Sequence, residues 1–191
     1  MTRKLTVNIS NYVQRLKNID FLQPLYEAIV NSMDANATSV KIKFCIDNDS
    51  EESFVNGFSV LDNGDGFNAK NLDSFFEMMK MDKQKGKLGS GRFIWLKVFD
   101  TIQIKSKLEN KEININFVKD YNKITEEEET VQNNENLTTI SFSNVTSEYL
   151  NKRPIYDIDK IQQAIFEQLL PKLLILKQEN KFVTIDIDGK R

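Results

Sequence analysis

The apolar residues of this sequence change their spacing between residues 20 and 47. They first recur at helical intervals, which predicts an amphipathic helix from about Asp20 to about Ala35. Its apolar positions are Leu22, Tyr26, Ile29 and Met33. From residue 39 to residue 47 apolar and polar residues alternate, which predicts a strand with one buried face. A one-sided helix followed by a one-sided strand favours a fold in which helices cover a sheet.

The same two patterns recur along the rest of the chain. Helical patterns cover residues 71–79, 93–100 and 157–177, and a short strand followed by a helix is expected within residues 4–17. Strand patterns cover residues 57–61, 101–108, 112–118, 137–143 and 182–187, and residues 109–111 join two of them as a hairpin. Helices thus interleave with antiparallel strands. We therefore predict an α+β fold, a two-layer α/β sandwich whose mixed, mainly antiparallel sheet has its helices on one face.

Two segments are expected to depart from regular structure. Pro171 lies inside the long helix near the carboxyl end, and because proline lacks an amide hydrogen we expect a disturbance there. Residues 126–136 read EEEETVQNNEN and are expected to form an exposed acidic loop.

Length and composition limit the classes of protein to consider. The 191 residues suffice for one domain, and 40% hydrophobic and 28% charged residues are ordinary for a globular chain. The formal net charge of −2 provides no overall attraction to nucleic acid or to an anionic membrane. No apolar stretch approaches the ~20 residues of a membrane span. We expect residues 1–191 to form a single domain and, because the chain stops at a turn at residues 188–189, to be the amino-terminal part of a longer protein.

The sequence contains no histidine. This excludes catalysis by Ser-His-Asp or Cys-His groups, and it excludes a phospho-accepting histidine within this chain. The single cysteine, Cys45, allows neither an intrachain disulfide nor a zinc cluster, which fits a reducing, cytoplasmic location.

Three polar residues lie on the side of the first helix opposite its apolar residues. Glu27, Asn31 and Asp34 follow at i, i+4 and i+7, and no lysine or arginine occurs between Lys17 and Lys41. A solvated helix face commonly mixes charges, because Glu–Lys pairs at i+4 stabilise it. An uncompensated acidic stripe suits a bound cation, and Mg²⁺ accepts one amide oxygen when phosphates and waters supply its other ligands. From these residues alone, a cation site and a solvated face are about equally well supported.

The sequence DNGDGF at residues 62–67 follows a predicted strand. Asn-Gly and Asp-Gly are common turn dipeptides, so a hairpin turn is one interpretation. However, Asp62 comes directly after the strand, and the alternate glycines Gly64 and Gly66 remove side chains from the backbone. This arrangement would let a flat heterocycle approach while the Asp62 carboxylate accepts its amine hydrogen.

The sequence GKLGSGRF at residues 86–93 is rich in glycine and leads into a predicted helix. It is not a Walker A loop, because Arg92 and Phe93 stand where that loop has Lys and Ser/Thr, and no strand precedes it as in a dinucleotide fingerprint. Its backbone amides at a helix start would nevertheless suit an anion. Positive charge nearby comes from Lys83, Lys85, Lys87 and Arg92. A flexible surface loop is the alternative.

Taken together and in this order, the three segments resemble the GHKL superfamily of ATPases, which includes gyrase, heat-shock chaperones, histidine kinases and MutL. The motifs are E-x-x-x-N-S-x-D-A-x-A-T-x-V from residue 27, D-x-G-x-G from residue 62 and the glycine-rich segment, and the resemblance covers residues 20–143. The first motif is most similar to that of the MutL and MORC branch. The GRF…WLK continuation also resembles bacterial Hsp90-like proteins. The resemblance implies the Bergerat ATP-binding fold, with ATP and Mg²⁺ as cofactors.

The resemblance also implies roles for individual residues. Glu27 would be the general base that orients a water, Asn31 the magnesium ligand, and Asp62 the acceptor of the adenine amine. The other nucleotide-binding residues it implies are Asp34, Ala35, Gly64, Gly66, Phe67, Lys87, Leu88, Gly89, Ser90, Gly91, Arg92 and Thr138. Thr138 corresponds to the threonine of the family's Gly-Thr strand, although Leu137 replaces the glycine.

The activity implied is magnesium-dependent ATP binding and slow hydrolysis, with lid closure acting as a conformational or dimerisation switch for a larger protein. A non-hydrolysing nucleotide-binding switch and a histidine-kinase-type phosphotransfer domain are the alternatives. Kinase domains usually carry a basic residue where this chain has Asp34, so hydrolysis is favoured.

The partners implied are an ATP-dependent homodimer and downstream domains of the same protein. DNA would require a basic strip near the hairpin, whereas ordinary solvated positions are the alternative for its lysines. These are Lys105, Lys107, Lys111, Lys119 and Lys123.

Overall fold

The computed structural model describes residues 9–48, 51–76, 91–132 and 135–189. The α-helices within these ranges are α1 (Ile9–Arg15), α2 (Gln23–Asp34), α3 (Ala69–Phe76), α4 (Gly91–Val98) and α5 (Ile158–Gln178). The strands are β1 (Ser39–Asp47), β2 (Phe54–Asp62), β3 (Phe99–Leu108), β4 (Lys111–Phe117), β5 (Thr125–Thr130), β6 (Leu137–Val145) and β7 (Thr184–Ile187).

The strands form one seven-stranded sheet in the order β5-β4-β3-β6-β2-β1-β7. Five of its neighbouring pairs are antiparallel, and β1 with β7 is the parallel pair. The hairpin of β3 and β4 turns at residues 109–110, where the alternating pattern breaks. The predicted α+β fold with a mixed, mainly antiparallel sheet is therefore confirmed.

The two faces of the sheet differ because each strand alternates apolar and polar residues. On one face, Val60, Ile140 and Ile104 lie side by side across β2, β6 and β3 and are buried. On the other face, Lys43 and Gln103 are exposed. The helices cover the apolar face, and α2 and α4 pack against each other as well as against β2 and β3 respectively. The sandwich therefore has two layers, as predicted.

Helix α2 begins three residues later than expected. The Asp20 carboxylate accepts the Leu22 amide hydrogen at 2.8 Å, so it caps the turn that precedes the helix. The helix itself starts at Gln23, with Pro24 in its first turn, where the missing amide hydrogen costs little. Its buried residues face the core and hold the helix across the sheet; they are Pro24, Leu25, Ala28, Ile29, Ser32 and Met33.

The prediction of an acidic loop at residues 126–136 was wrong over its first half. Residues Thr125–Thr130 form β5, which pairs with β4 at the edge of the sheet and leaves its glutamates exposed. An edge strand buries neither face fully, so it needs no apolar alternation, and the sequence pattern could not reveal it. The Glu128 carboxylate also contacts Lys111 Nζ at 2.7 Å.

Smaller differences concern the element ends. Helix α5 continues through Pro171, whose exposed position lets the ring point away from the core. Strand β2 begins three residues before the predicted 57–61, and the predicted helix 93–100 ends at Val98 because Phe99 already belongs to β3. Residues 4–8 of the first predicted elements and residues 77–79 of the predicted 71–79 helix lie outside the described residues.

One glycine of β2 is required by the sheet itself. A Cβ atom on Gly57 would lie 2.5 Å from the carbonyl oxygen of Phe142 on β6. We expect Gly57→Ala to lower the free energy of unfolding by about 2 kcal/mol, since neither backbone can move freely. Urea denaturation would measure this. Ser59→Ala, on the same face of the same strand, should cost less than about 1 kcal/mol, and equal losses would contradict the explanation.

Candidate functional site

On the core-facing side of the sheet, one row of side chains across three neighbouring strands is polar, whereas the next row is apolar. Asp62 of β2 and Ser106 of β3 both lie opposite Thr138 of β6, and all three side chains are buried. The next row along these strands is Val60, Ile140 and Ile104. Buried polar groups in a core row are costly unless they are hydrogen-bonded, so this row marks a built site.

A cleft of about 510 Å³ opens above this row, bounded by α2, α3, the loop at residues 63–68 and the start of α4. Its volume lies in the range of small-molecule sites. The structure places many of the predicted site residues on its wall: Asn31, Asp34, Ala35, Asp62, Gly66, Phe67, Arg92 and Thr138. The cleft thus brings together predicted residues of α2, the DNGDGF segment, α4 and β6, whereas the predicted catalytic Glu27 is not on its wall.

The Asp62 carboxylate is held at the floor of the cleft, where it is 5% exposed. The Ser32 hydroxyl donates to Oδ2 at 2.8 Å, and the Gly64 amide donates to Oδ1 at 2.9 Å. Burial raises the pKa of Asp62, and these two hydrogen bonds oppose that rise. Each carboxylate oxygen has two lone pairs, so Asp62 retains acceptor capacity for a ligand.

Thr138 takes part in a hydrogen-bonded chain that starts from the same floor. Its hydroxyl lies 3.0 Å from the Ser106 hydroxyl, and the Ser106 oxygen accepts the Phe67 amide hydrogen at 3.0 Å. Ser106 and Ser32 were not predicted as site residues. The alternation along β3 could have indicated Ser106, because it follows Ile102 and Ile104 at every second position and so lies on the core face of the strand.

The DNGDGF segment connects β2 to α3, so it is not a hairpin turn. The Asn63 side-chain oxygen accepts the amide hydrogens of Thr38 and Ser39 at 3.0 and 2.9 Å. The Asp65 amide donates to the Ala35 carbonyl at 2.7 Å. These bonds fasten the segment to the turn between α2 and β1. They therefore also restrain Asp62, the predicted acceptor of the adenine amine, which directly precedes Asn63.

The two glycines of this segment are required by the protein's own packing. A Cβ atom on Gly64 would lie 2.6 Å from the Ala35 carbonyl oxygen, and Gly66 has a φ of +62°, which disfavours other residues. Gly66 lines the cleft, whereas Gly64 does not. The approach of a heterocycle to these glycines stays a prediction, and at Gly64 the group that approaches closely is the Ala35 carbonyl just after α2.

The predicted polar stripe of α2 lies in two different environments. Asn31 is exposed and lines the cleft. Glu27, one turn earlier, is half-buried, and its carboxylate lies against Gly91 at the start of α4, where an added Cβ would come within 2.5 Å of Oε2. Neither Glu27 nor Gly91 belongs to the wall of the cleft.

The polar stripe of α2 does have a positively charged partner, although no lysine or arginine occurs between Lys17 and Lys41. Lys172 of α5 places its Nζ atom 2.7 Å from Asp34 Oδ1. Lys172 is 138 residues away along the chain, so the charge pattern around α2 does not reveal it. Asp34 is therefore compensated by a tertiary contact.

Positive charge reaches the cleft wall from Arg92 and Lys70. The Arg92 guanidinium lies over the rings of Phe75 and Phe93, at 5.3 and 5.2 Å from their centroids. Burial lowers the pKa of Arg92 to about 10, so the group is still protonated at neutral pH. The predicted phosphate-binding residues Lys87, Leu88, Gly89 and Ser90, and the nearby Lys83 and Lys85, lie outside the described residues.

Trp95 of α4 also lines the cleft, although sequence reasoning did not select it. It is buried, and among the described residues its indole N–H has no hydrogen-bond partner. It is the one tryptophan of the chain, so tryptophan fluorescence arises from a residue on the wall of this cleft.

The lysines of the proposed basic strip are each paired with a carboxylate. Lys105 and Lys107 contact Glu112, at 2.7 and 3.5 Å. The other pairs are Lys111 with Glu128, Lys119 with Asp100 and Lys123 with Asp120. Four carboxylates thus offset much of the positive charge of the five lysines, and DNA as a partner stays a prediction.

Comparison with known families agrees with this geometry. The family model described as "Histidine kinase-, DNA gyrase B-, and HSP90-like ATPase" matches residues 19–153, more than half of the chain. The chain belongs to this ATPase family. A search of curated proteins found no match.

Membership of this ATPase family confirms the predicted superfamily and suggests ATP binding. The finer likeness to the MutL, MORC or Hsp90-like branches stays a prediction. The matched segment ends before α5 and β7. In the described part of the chain, no helix combines the length and apolarity needed to cross a membrane.

The raised pKa of Asp62 predicts a pH dependence of folding stability. Between the ordinary value of 3.8 and the raised value, the folded state keeps a proton that the unfolded state has lost. The free energy of unfolding, relative to Asp62→Asn, should therefore fall as pH rises through this window and be constant above it. Urea denaturation of both proteins across a pH series measures the difference. A difference that is constant with pH would contradict the burial effect.

Proposed function

We propose that the protein binds ATP with Mg²⁺ in this cleft and hydrolyses the terminal phosphate. The observation that carries the proposal is the buried Asp62 carboxylate, fixed by Ser32 and Gly64 at the floor of a cleft of about 510 Å³. The family match supports the same ligand.

The adenine end of the ligand would lie against Asp62. An exocyclic amine supplies hydrogens, and an ionised carboxylate accepts them in a charge-assisted bond. The hydrogen-bonded hydroxyls of Thr138 and Ser106 border the same floor. Because donors and acceptors there are already fixed by the protein, little ordering is needed when the base binds.

The phosphate end would lie toward Asn31 and Arg92. Asn31 presents an exposed side chain on the cleft wall, and Mg²⁺ tolerates a single amide oxygen when phosphates complete its shell. Asn31 is the residue that the likeness of its motif to the ATPase family implies as the magnesium ligand, and we assign it that role. The metal would supply charge compensation for the phosphates, and the Arg92 guanidinium adds a fixed positive charge.

Glu27 would orient the attacking water. In the proposed reaction the water oxygen bonds to the terminal phosphorus, the bond from that phosphorus to the bridging oxygen breaks, and the water proton passes to the Glu27 carboxylate. The products are ADP and inorganic phosphate. Glu27 lies one helical turn before Asn31, so the base and the metal ligand share one rigid element.

A nucleotide-binding module without turnover is the second candidate, and one observation favours it. Glu27 packs against Gly91 and does not line the cleft. A lid-driven switch that promotes dimerisation stays a prediction, because most of the glycine-rich segment lies outside the described residues.

Two substitutions separate binding from turnover. Asp62→Asn should weaken ATP binding by about tenfold or more, since it removes a charge-assisted hydrogen bond. Glu27→Gln should leave ATP affinity within about twofold and lower phosphate release by about 100-fold or more. Trp95 fluorescence measures affinity, and phosphate release measures turnover. Glu167→Gln makes the same chemical change on the exposed side of α5 and serves as the control.

Measurements of phosphate release also decide between ATP hydrolysis and nucleotide binding without turnover. Absence of phosphate release by the wild-type protein at saturating ATP would favour the module without turnover. Wild-type turnover that survives in Glu27→Gln would contradict the role of Glu27.

The contact between Glu27 and Gly91 gives a further prediction. Gly91→Ala should displace the carboxylate, because a Cβ would lie 2.5 Å from Oε2. The displaced group is the end of a flexible side chain, so the free energy of unfolding should change by less than about 1 kcal/mol. We expect ATP affinity to be retained and phosphate release to change by severalfold. Unchanged release would show that the placement of Glu27 against Gly91 is unimportant for turnover.

A further inference from the structure

Helix α5 brings one charge to the nucleotide cleft from outside the matched family segment. Lys172 contacts Asp34 at 2.7 Å, and the two side chains are 29% and 15% exposed. The family match ends at residue 153, whereas α5 spans Ile158–Gln178.

The position of Lys172 is set by packing. It lies three residues after Leu169 and four before Leu176, both buried, so it lies on the buried side of α5. Helices α5 and α2 are in contact, and Asp34 is the last residue of α2. The ion pair is thus held by two packed helices, which makes it stronger than a pair between freely moving surface side chains.

The pair acts on the cleft through Asp34. Asp34 lines the cleft, whereas Lys172 does not. Asp62 and Asp65 add two more carboxylates to the same wall, against the cations of Lys70 and Arg92. A triphosphate carries several negative charges, so an uncompensated Asp34 would repel it, and the attached Lys172 offsets that repulsion.

We propose that Lys172 is a positioning residue of the nucleotide cleft: it holds and neutralises Asp34, so that the cleft accepts the phosphates of ATP. The inference rests on the proposed function. It assigns to α5, which lies outside the matched segment, a part in ligand binding. Because Asp34 lines the cleft and Lys172 lies behind it, the effect of Lys172 on affinity passes mainly through the position and charge of Asp34 and depends on the charge of the ligand.

The first test compares Lys172→Met with the wild-type protein, with Trp95 fluorescence as readout. We expect ATP to bind roughly five- to tenfold more weakly, as for one uncompensated charge near the ligand, while adenosine binds with unchanged affinity. Lys172→Arg keeps the charge and should restore ATP affinity. Lys160→Met is the matched control, because Lys160 lies on the same helix but pairs with Asp157 at the far end.

The second test repeats the substitution in an Asp34→Asn background, which removes both charges of the pair. Lys172→Met should then cost clearly less ATP affinity than it does when Asp34 is present, because only the direct and more distant effect of the Lys172 charge on the phosphates remains. This double variant leaves no buried carboxylate without its cation, so it provides the comparison even if Lys172→Met alone does not fold.

Three results would overturn the proposal. Lys172→Met could bind ATP as tightly as the wild-type protein, could lose ATP and adenosine affinity equally, or could lose ATP affinity to the same extent in the Asp34→Asn background. Failure of the wild-type protein to bind either ATP or adenosine would instead overturn the proposed function itself, and this inference with it.

Discussion

The site depends on the register between β2, β6 and β3. That register brings Asp62, Thr138 and Ser106 into one row on the core-facing side of the sheet. Side chains alternate between faces, so a slip of one residue in β2 would move Asp62 to the solvent face and break its bond to Ser32. The apolar rows beside it, which include Val60 and Ile140, stabilise the register. Core packing and ligand recognition therefore depend on the same strand alignment.

Helix α2 carries the second half of the arrangement because its two sides have different tasks. Its apolar side packs into the core, and Ser32, at the border of that side, contacts Asp62. Its polar side presents Asn31 and Asp34 to the cleft. The backbone amides that follow, of Thr38 and Ser39, donate to the Asn63 side-chain oxygen of the DNGDGF segment. Movement of α2 would therefore change the proposed base-binding and phosphate-binding ends of the cleft together.

Much of the fold could be predicted from sequence, because its signals are local. Alternation located β1 exactly where the structure has it, and the helical period located α2 to within a few residues. The acidic edge strand β5 was missed, since pairing with β4 holds it and its own composition does not indicate it. In the site, the likeness of the motifs to a known family implied that Asp62 and Asn31 share one cleft, and both line it. Lys172 could not be found in this way, because only tertiary packing brings it to Asp34.

The composition of β5 has a consequence for association between molecules. An edge strand offers free backbone groups to which a strand from another chain can add. Here four successive glutamates, Glu126 to Glu129, project from both faces of the edge. A second copy aligned along this edge would bring like charges within a few ångströms of one another, on the order of 5 Å. Sheet extension by self-pairing is thus opposed at β5, and any contact between copies is directed to other surfaces of the protein.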